Sequence, residues 1–182
     1  MNLPNILTLI RIALVPFFII FFHLGQAGAQ LYSILALVVF AVASLTDAVD
    51  GLIARKKNLV TNFGALMDPL ADKILTTAAF VLFVEVNIIP AWAVVVILAR
   101  EFAITGLRGV AAAEGVVLPA GFAGKLKTIF QMIVICVILL TLIVANYGLG
   151  MIGLGLFWVT LVITVYSGVE YLVKGRKLLN FK

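Results

Sequence analysis

The chain has 182 residues, is 64% hydrophobic, and carries 13 Lys and Arg against 8 Asp and Glu, a net charge of +5. An ordinary globular domain has about twice the 12% of charged residues found here, so composition excludes a soluble domain and makes this an integral membrane chain. The positive balance is then expected to sit in loops at an anionic membrane surface rather than against nucleic acid. One cysteine, Cys136, excludes a disulfide framework and lies in an apolar run that reads as packing. Residues 1–182 read as a single domain with no cleavable signal peptide, because Arg11 interrupts the first apolar run and no convincing small-residue cleavage site follows it.

Six helical segments are predicted, at about 5–22, 30–55, 63–86, 90–112, 121–147 and 151–175. The fold class is therefore all-α with six transmembrane helices. In the first, Pro16 is expected to kink the helix. Asn5, Thr8 and Arg11 recur every three residues and form a polar stripe. Two readings of it stand: an interfacial helix start whose Arg11 reaches lipid headgroups, or a face turned toward the site described below, with Asn5 and Thr8 against the substrate lipid. The second segment ends in Arg55, Lys56 and Lys57 and protrudes on that side. In the third, Pro69 can bend the helix, and Lys73 reads as a structural partner of a carboxylate, with snorkelling as the alternative. The polar break 58–62 is short and makes the second and third segments antiparallel neighbours. Residues 115–119 separate the fourth and fifth segments. Residues 148–150, Gly-Leu-Gly, read as a tight turn between the fifth and sixth, and His23 as a surface residue in a loop at the opposite end from the basic residues. No internal repeat is visible.

Half of the eight acidic residues fall between Asp47 and Asp72. Carboxylates at membrane depth are costly and point to function. At about 100° per residue, Asp47, Gly51 and Ala54 share one helix face with Asp50 at its edge, and Gly64, Asp68 and Asp72 share another. Antiparallel packing lets all four carboxylates converge, and the small residues among them leave room for a bulky ligand. Converging carboxylates require cations, and all-oxygen ligation suits Mg²⁺, Mn²⁺ or Ca²⁺. Four carboxylates suggest two ions, an arrangement that commonly clamps a phosphoryl group undergoing displacement. Asp47 precedes Arg55 by eight residues, or about 12 Å, so the acidic site sits inside the membrane near one face.

The pattern Asp47-x2-Asp50-Gly51-x2-Ala54-Arg55-x8-Gly64-x3-Asp68-x3-Asp72 resembles, without a departure, the signature of the CDP-alcohol phosphotransferases, membrane enzymes of phospholipid synthesis. The opening Asn-Leu-Pro-Asn-Ile-Leu-Thr-Leu-Ile-Arg, the stretch from Arg100 to Arg108 and that from Gly124 to Gln131 resemble the bacterial phosphatidylglycerophosphate synthases within that group. The resemblance implies that CDP-diacylglycerol gives its phosphatidyl group to sn-glycerol 3-phosphate, releasing CMP. It implies two divalent ions, Mg²⁺ or Mn²⁺, on Asp47, Asp50, Asp68 and Asp72, with Asp72 as general base. It places Asp50, Gly51, Ala54, Arg55 and Gly64 near the CDP-lipid and implies a homodimer.

All basic residues fall on one side or on helix portions near it, which puts both termini and the aspartates on the cytoplasmic face of the cell's inner membrane. Arg108, Lys125 and Arg100 are the candidate ligands of an acceptor phosphate, brought together by antiparallel fourth and fifth helices. Lys127 reads as ordinary flanking charge, whereas Arg100 lies too deep for that unless a carboxylate such as Glu101 or Asp72 pairs with it. An inositol phosphate acceptor would use the same cluster; a serine acceptor gives it no purpose. A cation transporter is the rival from another class, but transporters usually hold their sites near the midplane between repeats.

Overall fold

A computed structural model describes residues 3–57, 62–113, 115 and 121–178. These form six helices: α1 Leu3–Gln26, α2 Gln30–Lys57, α3 Asn62–Glu85, α4 Ala91–Ala113, α5 Phe122–Val144 and α6 Tyr147–Leu178. Among the described residues, three of them contain stretches long and apolar enough to cross a membrane: Ile6–Gln26, Phe122–Val144 and Tyr147–Val173. Pro16 lies inside α1 without ending it.

The turns explain where the helices stop. Gly28 closes α1 at φ 102°, a left-handed conformation that glycine adopts without strain. After α3, Asn87 takes φ 57°; its N–H donates to the Val84 carbonyl and that of Ile88 to the Phe83 carbonyl, the paired bonds of a Schellman cap. Between α5 and α6 the sequence expectation is corrected. Gly148–Gly150 is not a turn but the first turn of α6. The break comes earlier, where Ala145 adopts φ 52° and donates to the Thr141 carbonyl, and Asn146 Oδ1 accepts from Leu149 N–H at 3.0 Å. A side-chain cap on Asn146 starts the helix and overrides the glycine signal. His23, expected in a loop, belongs to the last turn of α1, where Nδ1 lies 3.8 Å from Glu85 Oε1.

Packing builds two four-helix groups that share α3 and α5. In the first, α1 lies on α2 and α3, and α5 on α2 and α3. In the second, α4 and α5 each lie on α3 and α6. Among the described residues α2 and α3 touch each other far less than either touches α1, so α1 is the common partner of the predicted neighbours. Likewise, among the described residues, α4 and α5 do not pack on each other; they stand on one diagonal of the second group, with α3 and α6 on the other.

Along the bundle axis the interior changes character. One end holds a dry aromatic core of Phe18, Phe40, Phe80, Phe83 and Phe157, each at most 1% exposed. Lipid tails are as apolar as these rings, so close contact rather than escape from water holds this end together. Gly25 sits so near Ser33 that a Cβ would collide with its Oγ and backbone N, which draws α1 onto α2. The other end holds the buried polar side chains Thr8, Arg11, Lys127, Gln131, Thr164 and Ser167.

Candidate active site

The acidic signature falls on uninterrupted helix: α2 is continuous through Asp47, Asp50, Gly51, Ala54 and Arg55, and α3 through Gly64, Asp68 and Asp72. The helical periodicity on which their shared faces depend is therefore present in the backbone. The side chains of these eight residues, and of Asn5, lie outside the described residues. Among the described residues no group of three His, Cys, Asp or Glu comes together, which leaves the four aspartates as the candidate ligand set. Four carboxylates and no thiolate or imidazole suit a hard divalent cation.

Helix registers set the height of this set in the bundle. The Phe22 and Phe83 rings meet at 6.2 Å between parallel α1 and α3. Eleven residues back along each helix from that contact stand Arg11 and Asp72. Arg11 is 2% exposed and its Nε donates to the Ala43 carbonyl, one turn before Asp47, at 3.2 Å. The Arg11–Thr8 stripe therefore faces the protein interior at the level of the aspartates, and the headgroup-reaching reading of Arg11 is excluded. On the other side, Gln30 Nε2 donates to the Ile143 carbonyl at 3.1 Å and fixes antiparallel α2 and α5. Seventeen residues on from Gln30 and sixteen back from Ile143 bring Asp47 and Lys127 to the same height.

A second charged cluster occupies the diagonal between α4 and α5. Glu101 Oε1 accepts from Lys127 Nζ and from Arg100 Nη1, the latter at 3.1 Å. Arg100 Nη2 donates to Ser167 Oγ of α6 at 2.9 Å. Its aliphatic stem lies over Gly168, where an added Cβ would come within 2.8 Å of Arg100 Cγ. Lys73, the neighbour of Asp72, donates to Thr105 Oγ1 and reaches the Glu101 carbonyl at 3.5 Å. Lys73 thus ties α3 to α4 through the Thr105 hydroxyl and the Glu101 backbone carbonyl. Arg100 has the carboxylate partner its depth demands. Lys127 is not a flanking charge: it is 4% exposed and ion-paired with Glu101, which offsets the cost of placing an ammonium inside the bundle. Arg108 and Lys125 are exposed, on α4 and α5 respectively. The expected antiparallel α4–α5 pair is replaced by the diagonal arrangement, in which long side chains, not packed helices, make the connection.

Sequence reading missed α6, which looked generic. Thr160, Thr164 and Ser167 are buried along one face. The two threonines close back onto carbonyls a turn earlier, and Ser167 does so onto Thr164 while receiving Arg100. Their three-to-four-residue spacing was the available signal.

The family model for CDP-alcohol phosphatidyltransferase matches residues 1–166. The chain belongs to this family. Its similarity to individual members runs the full length. It is 44% identical to a CDP-diacylglycerol–glycerol-3-phosphate 3-phosphatidyltransferase of Bacillus subtilis, covering 98% of this chain and 97% of that one. It is 36% identical to the protein of that name from Rickettsia bellii, with 97% and 96% covered. A probable phosphatidylglycerophosphate synthase of Mycobacterium tuberculosis is also 36% identical, over 97% of this chain and 82% of the relative. The family match includes α1 to α5 and most of α6, so both charged clusters belong to the part of the chain shared with the family.

Proposed function

We propose that this chain transfers the phosphatidyl group of CDP-diacylglycerol to sn-glycerol 3-phosphate, yielding phosphatidylglycerophosphate and CMP. The observation that carries this reading is identity of 36% or more, over nearly the whole chain, with relatives that bear the name of this activity. The complete aspartate signature on unbroken helices supports it.

In this reading Asp47, Asp50, Asp68 and Asp72 hold two divalent ions, magnesium or manganese, which when bound neutralise the diphosphate and ease departure of CMP. Gly51, Ala54 and Gly64 permit close approach of the cytidine diphosphate, and Arg55, Asn5 and Thr8 contact the donor. Asp72 also serves as general base, accepting the proton of the acceptor hydroxyl. That oxygen bonds to the phosphatidyl phosphorus while the bond from phosphorus to CMP breaks, and CMP leaves with the electron pair. Arg108 and Lys125 bind the acceptor's phosphate; Arg100, whose terminal nitrogens are engaged by Glu101 and Ser167, contributes charge rather than contact.

All six helices have 23 residues or more, about 35 Å or longer, against a hydrocarbon core of about 30 Å. We assign six spans: the three that hydropathy singles out among the described residues, and α2, α3 and α4 by their length. The turns at 27–29, 86–90 and 145–146 contain no Lys or Arg, which favours a cytoplasmic site and cytoplasmic termini in the cell's inner membrane. The assembly we assign is a homodimer, on the family resemblance.

The deciding experiment is CMP release by purified protein in detergent with CDP-diacylglycerol and Mg²⁺ or Mn²⁺, with glycerol 3-phosphate, serine or inositol phosphate offered separately. Metal-dependent release with glycerol 3-phosphate alone is expected. Release only with another acceptor overturns the acceptor assignment, and release with none, from folded protein, overturns the enzymatic reading.

A further inference from the structure

The Glu101–Lys127 pair has a place in the fold that ordinary helix packing does not explain. The helices that carry these residues do not pack on each other among the described residues, yet the two side chains meet across the interior of the α3, α4, α6, α5 group. Lys127 is 5% exposed at its side chain and Glu101 13%, so the contact is inside the bundle rather than on its rim. Glu101 is also a node. Its carboxylate takes Arg100, which reaches α6 through Ser167, and its backbone carbonyl receives Lys73 of α3. One residue thereby connects all four helices. Toward the apolar end of the bundle lie Ile97 on α4, Ile135 on α5 and the Phe80–Phe157 contact. Toward the other end, α4 continues two turns to exposed Arg108, and α5 begins with exposed Lys125, half a turn before Lys127.

We infer that the Glu101–Lys127 bridge is the positioning element of the acceptor subsite: a strut that fixes the α4–α5 separation and forms the floor on which a phosphorylated, short-chain alcohol rests. This deepens the acceptor assignment above and rests on it. The charge balance fits the role. Glu101 faces two cations, Arg100 and Lys127, below exposed Arg108 and Lys125, so the end of the bundle where an anionic acceptor would rest is rich in basic side chains. Without the strut, α4 and α5 are related among the described residues only through their separate packing on α3 and α6, and the spacing of Arg108 from Lys125 is lost. The donor site draws on α2 and α3, which α1 joins by packing on both and through Arg11, and the tie from α3 to Glu101 runs to its backbone carbonyl, which neither Lys127→Met nor Glu101→Gln removes. The strut therefore acts on the acceptor and spares the donor.

The test uses full-length protein in detergent and compares Lys127→Met, Glu101→Gln and Lys127→Arg. Lys127→Met leaves Glu101 paired with Arg100 and preserves the fold, whereas Glu101→Gln strands two cations and is the less stable variant. Both are expected to raise the KM for glycerol 3-phosphate about tenfold or more, while the KM for CDP-diacylglycerol changes less than about twofold; Lys127→Arg, which keeps charge and reach, recovers most of the loss. A binding readout accompanies the kinetics. The thermal stabilisation of the parent protein by glycerol 3-phosphate should disappear in Lys127→Met, and that by CMP with Mg²⁺ should persist. Equal loss for donor and acceptor, or an unchanged acceptor KM in folded Lys127→Met, overturns the strut. If Glu101→Gln does not fold, Lys127→Met alone decides. Failure of the parent protein to use glycerol 3-phosphate at all is the separate result that overturns the proposed function.

Discussion

Arg11, for which the sequence left an interfacial and a site-facing reading open, and Lys127, which it presented as flanking charge, are both buried, at 2% and 4% exposed. Each is stabilised by a specific oxygen, the Ala43 carbonyl or the Glu101 carboxylate. A fixed partner is the condition for keeping charge at that depth. Among the described residues the exposed pair Arg108 and Lys125 has no such commitment, and this is why they are the groups assigned to an incoming phosphate. Replacing Arg108 with alanine should raise the KM for glycerol 3-phosphate about tenfold and leave that for the lipid nearly unchanged, as steady-state CMP release will measure. An equal rise for both substrates removes Arg108 from the acceptor subsite. Asp72→Asn should lower turnover by at least about a hundredfold while CDP-diacylglycerol still binds, which equilibrium binding of the labelled lipid can follow. Normal turnover in that variant takes the base role away from Asp72.

At the scale of the helices, glycine positions show which contacts set the spacing. A Cβ on Gly153 would meet Ile138 Cγ1 at 3.2 Å and Val137 Cγ1 at 3.4 Å, whereas one on Gly155 meets nothing within 4 Å. Gly153→Leu should therefore lower stability by about 1–3 kcal/mol through separation of α5 from α6, and Gly155→Leu should not. Melting temperatures of the two variants in one detergent compare them directly; equal melting would mean that α6 does not depend on close approach at Gly153. The ends of helices are set by other means. The α5–α6 break depends on Asn146 accepting from Leu149, so Asn146→Ala should cost about 1 kcal/mol in the same assay.

For the molecule as a whole, the interior is graded from an aromatic end to a charged end, and the charged end coincides with the side where the sequence collects its Lys and Arg. Orientation is testable on this axis. In a background with Cys136 replaced by alanine, a cysteine at His23 should react with an impermeant maleimide added to intact cells. One at Lys125 should react only after permeabilisation. The reverse pattern would place the aspartates on the outer face.

The sequence by itself determined the six helices, their approximate limits and the aspartate signature. Hydrophobic runs of membrane length and fixed spacing on a helix are local properties, and an apolar solvent leaves the backbone no alternative to helix. It determined that Arg100 needs a carboxylate, since depth and charge conflict without one. Tertiary structure decided what depends on which helices meet. It put α1 between α2 and α3, set α4 and α5 across a diagonal, turned the Thr8–Arg11 stripe inward and converted Lys127 from a flanking charge into half of a buried bridge. It also brought α6 into the charged end through Ser167 and Gly168. Helices of similar hydropathy have no strong preference for one neighbour over another in lipid, so the choice is made by close approach and by partnered polar groups, and these exist only once the helices are assembled.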